Sequence, residues 1–252
     1  MTLRVAVLGL GEAGGTLASG LAAAGCDVRG WDPLVATADA PTVAVADADL
    51  VLSLTTAAHA LDAARSVLSA LDARQVYADL NTAAPAVKRD VAAVVGASGA
   101  AFADVALLGP VPQRGLRARV LASGAGAAAF AELFAPLGMP VEVLSEQAGD
   151  AAALKLVRSV FMKGLAAAMV ESMQAAEIAG QAEWLAKEIA GMVGQPYLER
   201  ALEGSRKHAA RRVDEMEAAR DLLVELGVEP RIASASAAQL AELTEHGREV
   251  RT

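Results

Sequence analysis

The stretch Val5-Ala6-Val7-Leu8-Gly9-Leu10-Gly11-Glu12-Ala13-Gly14 decides the fold. An apolar run ends in glycines spaced G-x-G-x-x-G, an Ala/Leu-rich segment follows, and a second apolar run stops at Trp31-Asp32. Strand, glycine turn, helix, strand and acid, in that order, make the βαβ unit that holds a dinucleotide. Gly9 permits the tight turn, Gly11 lets the backbone approach a pyrophosphate, and Gly14 lets the helix pack close to the strand. The helix start offers unpaired N–H groups and a partial positive charge to phosphates, so Gly9, Leu10, Gly11, Glu12, Ala13 and Gly14 are expected to line the cofactor. Asp32 lies at roughly the ~20-residue distance where an acid accepts from ribose hydroxyls. A carboxylate there repels a 2′-phosphate, so NAD is expected rather than NADP.

Outward from this unit, apolar runs alternate with helical patterns. Thr42–Val45 reads as a short strand, and Leu50–Leu54, Gln75–Asp79 and Phe102–Leu108 as buried parallel strands. Arg119–Ala122 and Val141–Leu144 read as further strands, with a helix at Ala127–Leu137 between them. The alternation predicts a doubly wound α/β sheet of the Rossmann type over 1–148. Ligands of such sheets lie beyond the carboxyl ends of the strands. Thr55, Thr56 and Asn81 fall there and are expected near the cofactor; Thr82, Gly109 and Pro110 are expected near a substrate. From Ala151 onward only helical patterns remain, predicting a smaller all-α domain over 149–252 for substrate binding and dimerisation. A long helix is expected to stop at Gly180, followed by helices at Ala182–Met192, Pro196–Leu202, Arg206–Leu226 and Ser236–Glu245.

A chain of 252 residues has room for one large or two modest domains. Its formal charge of −8 speaks against nucleic acid as a partner. No apolar stretch approaches the ~18–20 residues that span a bilayer, and the N-terminal apolar run reads as a buried strand. The single cysteine, Cys26, has no internal partner for a disulfide, which fits a reducing, cytoplasmic setting. No metal site is expected. The long Ala/Leu/Met-rich helix needs more cover than a few short helices give, so a homodimer is expected.

Lys155, Arg158, Ser159 and Lys163 interrupt that apolar helix at i, i+3, i+4 and i+8, on one face. A lysine partly removed from water has a lowered pKa and can exchange protons near neutrality. The alternative is a solvated stripe. A second cluster, His208, Arg211, Arg212 and Glu215, follows i, i+3, i+4 and i+7. Arg211 and Glu215 would make a helical ion pair, while His208 and Arg211 are the candidates to reach a site. Arg114, Arg117 and Arg119 form a third basic group, read as a solvated loop.

These residues resemble the β-hydroxyacid dehydrogenase superfamily, which includes 6-phosphogluconate dehydrogenase and 3-hydroxyisobutyrate dehydrogenase. Gly9–Gly14 matches the opening GLGxxG turn. Asp79-Leu80-Asn81-Thr82-Ala83-Ala84-Pro85 matches an Asp-x-Ser-Thr-x-x-Pro segment. Gly149-Asp150-Ala151-Ala152-Ala153-Leu154-Lys155-Leu156-Val157-Arg158-Ser159 matches a G-x-G-x-x-x-K-x-x-x-N helix start, and the resemblance makes Lys155 the general acid/base. The chain departs from the family at Ala151 and Ser159, at Leu108-Gly109-Pro110 in place of Ser-Gly-Gly, and at Asp214-Glu215-Met216 in place of Lys-Asp-Leu. The pattern looks like a subgroup whose C-terminal domain is of unknown function.

The expected activity is NAD(P)-dependent hydride transfer between a small, anionic hydroxy compound and its carbonyl. Lys155 would be catalytic, and Ser159, Lys163, His208 and Arg211 would contact the substrate. One rival is an imine reductase on the same fold; the resemblance implies that those enzymes usually lack this lysine. The other is a catalytically silent dinucleotide-binding protein.

Overall fold

The computed structural model describes residues 2–35 and 40–249, with the side chains of 245–249 excepted. It divides into two compact units, Met1–Lys155 and Leu156–Thr252. The division falls inside a helix rather than ahead of it at 148/149.

The first unit alternates β1 (Arg4–Leu8), α1 (Glu12–Ala23), β2 (Asp27–Trp31), α2 (Pro41–Val45), β3 (Leu50–Ser53), α3 (Ala60–Val67), β4 (Val76–Asp79) and α4 (Pro85–Gly96). It continues with β5 (Ala101–Leu107), α5 (Val111–Arg114), β6 (Val120–Ser123), α6 (Ala127–Phe134) and β7 (Val141–Ser145). The sheet order is β2-β1-β3-β4-β5-β6-β7. The first five strands are parallel; β6 runs antiparallel to β5, and β7 parallel to β6. The central strands β1 and β3–β6 are mostly apolar and buried because both faces are covered, while the edge strands β2 and β7 are partly exposed. Val5, Val7, Leu50, Leu52, Ala103 and Val105 pack with Leu17, Leu21, Phe130 and Phe134 on one face. Ala6, Leu8, Val51, Tyr77 and Phe102 pack with Val67, Val91 and Val95 on the other.

The chain leaves β2 at one side of β1 and returns as β3 on the other. This reversal opens a crevice at the carboxyl ends of β1 and β3. The expected strand at Thr42–Val45 is instead α2. Pro41 fixes a helical φ at the first helical position. The buried Gln75 amide then donates to Val45 O and Ala48 O, both at 2.9 Å, and holds the short helix beneath β1.

A helix, α7 (Asp150–Ile178), begins in the first unit and supplies the start of the second; the chain turns at Gly180, φ +69°. The second unit continues with α8 (Ala182–Val193), α9 (Gln195–Lys207), α10 (Ala209–Glu225) and α11 (Arg231–Glu249). Ala166, Met169 and Met173 of α7 pack with Ile189, Leu198 and Ala201. A Cβ on Gly164 would sit 2.7 Å from Ile232 Cγ2, so the glycine lets α11 approach α7. The single helix expected over Arg206–Leu226 is broken at His208, whose φ −120° and ψ 26° end α9 and begin α10. No helix among the described residues is long and apolar enough to cross a membrane.

Candidate active site

The glycine turn stands at the crevice, and its three glycines do different work. Gly9 has φ +92°, and a Cβ there would lie 2.4 Å from Leu54 O, the backbone leaving β3. A Cβ on Gly14 would lie 1.9 Å from Gly9 O, so α1 touches the turn directly. A Cβ on Gly11, the residue preceding α1, would meet nothing within 4 Å. Space in front of a helix N-terminus, reached by backbone without a side chain, is what a pyrophosphate requires. The residues therefore fit a dinucleotide.

Asp32 holds this turn in place. Its Oδ2 accepts from Leu10 N at 2.7 Å and its Oδ1 from Leu34 N at 2.8 Å. A carboxylate has about four acceptor positions, so capacity remains for ribose hydroxyls. Leu10 packs over β2, where a Cβ on Gly30 would lie 2.8 Å from Leu10 Cδ1.

At the end of β3, Thr55 makes only long hydrogen bonds, 3.4 Å to Thr56 O and 3.5 Å to Asn81 Oδ1. Thr56 Oγ1 is 2.8 Å from His59 Nδ1, a partner the sequence reading did not assign. Asn81, expected near the cofactor, is buried, and its amide donates to Asp79 Oδ1 at 2.6 Å and Ser53 Oγ at 3.3 Å. Thr82, next in the chain, is exposed, and Lys155 Nζ donates to its Oγ1 at 2.7 Å. Gly109 lies under Arg114, whose Cδ would be 3.6 Å from an added Cβ; Pro110 is exposed.

Beneath this edge lies a charged cluster that sequence reading missed. Lys88 of α4 is fully buried, with Nζ donating to Asp79 O at 2.8 Å. It lies 3.4 Å from Asp79 Oδ2 and 3.2 Å from Asp104 Oδ1, both carboxylates also buried. Those two oxygens make no hydrogen bond, so the ammonium's charge is what compensates them. Asp104 Oδ2 accepts from Ala152 N at 2.9 Å and from Ser123 Oγ, which itself accepts from Ala151 N at 3.0 Å. The first N–H groups of α7 are thus capped by β5 and β6, because an N-terminal turn has no intrahelical acceptors. Above Asp79, burial and the neighbouring carboxylate push the Tyr77 hydroxyl well above the usual tyrosine range. The signal for the cluster was present: Asp79 and Asp104 are the polar residues of otherwise apolar strands and pair opposite one another.

The second unit redistributes the remaining candidates. Glu215 does not pair with Arg211, which is exposed. Its Oε1 accepts from Lys163 Nζ at 2.9 Å and from Ser159 Oγ, with Ser159 1% exposed. Ser159 and Lys163, expected on the substrate, are therefore engaged by a buried carboxylate. Truncating one partner of a buried pair typically costs about 3–5 kcal/mol. Arg212 packs over Gly204 and donates to Ser205 Oγ at 2.7 Å; burial lowers its pKa. His208 is half-buried at the α9–α10 junction. Arg114, Arg117 and Arg119 are exposed, as read, and Arg119 lies 3.8 Å from Glu142. Among the described residues, no group of three or more His, Cys, Asp and Glu could hold a metal ion.

Comparison with known proteins places this geometry. Residues 4–137 match the NAD binding domain of 6-phosphogluconate dehydrogenase, and residues 176–243 match a domain of unknown function, DUF1932. A curated relative, an uncharacterized 28.5 kDa protein from Methanothermus fervidus, is 26% identical over 68% of this chain and 66% of its own length, just under two thirds. A solved conserved protein of unknown function, described as structurally similar to 3-hydroxyacid dehydrogenases, is 29% identical over 96% of this chain and 97% of its own, with a TM-score of 0.72. The 3-hydroxyisobutyrate dehydrogenase of Mycobacterium tuberculosis shares the fold at 22% identity, TM-score 0.81, over 97% and 94% of the two chains. A reductive aminase from Aspergillus terreus, solved with NADPH, shares it at 20% identity, TM-score 0.65, over 98% and 95%. The chain belongs to the family defined by the NAD binding domain of 6-phosphogluconate dehydrogenase, within the 3-hydroxyacid dehydrogenase fold and with a DUF1932 C-terminal region.

Proposed function

We propose that the protein is an oxidoreductase that interconverts a small hydroxy compound and its carbonyl, with Lys155 as general acid/base. The observation that carries this reading is the 2.7 Å hydrogen bond from Lys155 Nζ to Thr82 Oγ1. It brings a titratable amine to the carboxyl edge of the sheet on which the glycine turn stands. The turn Gly9–Gly14 and Asp32 would hold the dinucleotide; when bound, its nicotinamide supplies the hydride acceptor or donor. Lys155 as the neutral amine takes the substrate hydroxyl proton during oxidation, and as the ammonium returns a proton to the carbonyl oxygen during reduction. Thr82 holds Nζ in line and accepts its spare N–H. With Lys163 committed to Glu215, the support for an anionic substrate shrinks to Arg211 and His208, and the proposal does not require an anion.

Reduction of an imine would use the same edge, and the shared fold with a reductive aminase supports it as the second reading. A panel of hydroxy acids, ketones and ketone–amine pairs, followed by nicotinamide absorbance, tests both. Turnover of hydroxy acids supports the first reading, turnover only with an amine present supports the second, and no turnover with either cofactor leaves a silent dinucleotide-binding protein. Asp32 beside Leu10 still favours NAD by repelling a 2′-phosphate. In a titration NADH is expected to bind more tightly than NADPH, and the reverse order would refute that choice.

A homodimer is part of the same proposal. Leu154, Val157 and Phe161 recur at i, i+3 and i+7 along α7 and are 47%, 42% and 69% exposed. Such a stripe on an otherwise apolar helix needs cover. Light scattering at micromolar concentration is expected to give a dimer, and Phe161→Glu to shift it toward monomer; a monomeric wild-type protein would sink the idea.

A further inference from the structure

We propose that buried Lys88 is a positioning residue for Lys155, because both partners of the Lys155–Thr82 hydrogen bond are tied to it. One arm runs through Asp79. Its Oδ2 faces the Lys88 ammonium, while its Oδ1 accepts from Asn81 N at 2.9 Å and Asn81 Nδ2 at 2.6 Å, fixing the turn that ends in Thr82. The other arm runs through Asp104. Its Oδ1 faces the same ammonium, while its Oδ2 accepts from Ala152 N and from Ser123 Oγ, fixing the first turn of the helix that carries Lys155. Gly149, at φ +101°, brings this helix start against Pro85, the first residue of the helix holding Lys88; a Cβ there would lie 2.9 Å from Pro85 O. One ammonium balances two carboxylates, and the surplus negative charge lies at the positive end of α7, where it is favourable. Lys88 is fully buried; it sets where Nζ and Oγ1 meet.

The inference rests on reading Lys155 as the proton carrier, but its test does not use turnover. The full-length protein is acetylated with trace acetic anhydride. Peptide mass spectrometry then compares the reactivity of Lys155 with that of exposed Lys187. Amide exchange is measured in parallel. In Lys88→Met, protection is expected to fall together at Asn81-Thr82 and at Ala151-Ala152 while β1 and β3 keep theirs. The Lys155:Lys187 reactivity ratio should change at least about threefold, as half a pKa unit would produce. Ser123→Ala, which leaves all three charges in place, should loosen only Ala151-Ala152 and change the ratio in the same direction by less. A folded Lys88→Met protein with an unchanged ratio overturns the proposal. If that variant does not fold, an unchanged ratio in Ser123→Ala overturns it instead. Should Lys155→Met retain turnover, the catalytic reading of Lys155 fails on its own, and the labelling result still decides whether Lys88 positions it.

Discussion

Lys155→Met is expected to lower turnover by ~10²-fold or more, the usual contribution of a positioned general acid/base, with NADH affinity nearly unchanged. Removing a hydride from a carbinol carbon strands a proton on oxygen, and Lys155 is the amine that the structure brings to the sheet edge, 2.7 Å from Thr82. The glycine turn that would hold the dinucleotide lies elsewhere on that edge, so binding and chemistry separate. The substitution should also remove the alkaline-favoured limb of alcohol oxidation, because that limb reports the neutral amine. Steady-state rates across pH with a substrate from the panel check this. Near wild-type turnover in the Met variant, with loss in His208→Ala, would transfer the role to His208.

The glycines give the second large effect, and they should behave oppositely. Gly14→Ala forces a Cβ to 1.9 Å from Gly9 O, a backbone atom with no freedom to yield. Overpacking of this kind typically costs 1–3 kcal/mol or more, roughly 2–12 °C in melting temperature for a chain of this size. Gly11→Ala places its methyl in open space at φ −60°, so the melting temperature should hold to within the ~0.5 kcal/mol typical of surface changes. The same methyl would occupy the phosphate space, and dinucleotide affinity should fall at least about tenfold, or 1.4 kcal/mol. Calorimetry on the two variants separates a packing glycine from a ligand glycine. Equal melting temperatures would show that the turn yields at Gly14.

The dinucleotide unit was legible because its determinants are local: a turn that excludes side chains, a helix start and an acid follow one another along the chain. In the sequence, the role proposed for Lys155 comes only through resemblance, since its spacing alone fits a wet stripe. Thr42–Val45 reads as a strand, but Pro41 starts a short helix there, which Gln75 then anchors from thirty residues away. His208 carries no glycine or proline signal for the break between α9 and α10; Arg211 and Glu215 stay together on α10, and Glu215 instead meets Ser159 and Lys163 of α7. The buried set around Lys88 became visible only with the strands in register, where Asp79 and Asp104 stand side by side. Nor does spacing along one helix show that Ser159 and Lys163 meet a carboxylate 56 and 52 residues further on.

The helix that crosses the 155/156 division bears on how this protein can be recombined. A chimera built by joining its cofactor half, cut at 148, to a foreign helical half would discard Lys155 and leave Asp104 and Ser123 facing whatever N–H groups the donor provides. Grafting the helical half onto another sheet would import a helix start shaped for caps that the new sheet does not carry. The transferable cassette is therefore the sheet together with the opening turns of α7, and a productive crossover falls after Lys155, in mid-helix, where the splice must keep helical phase.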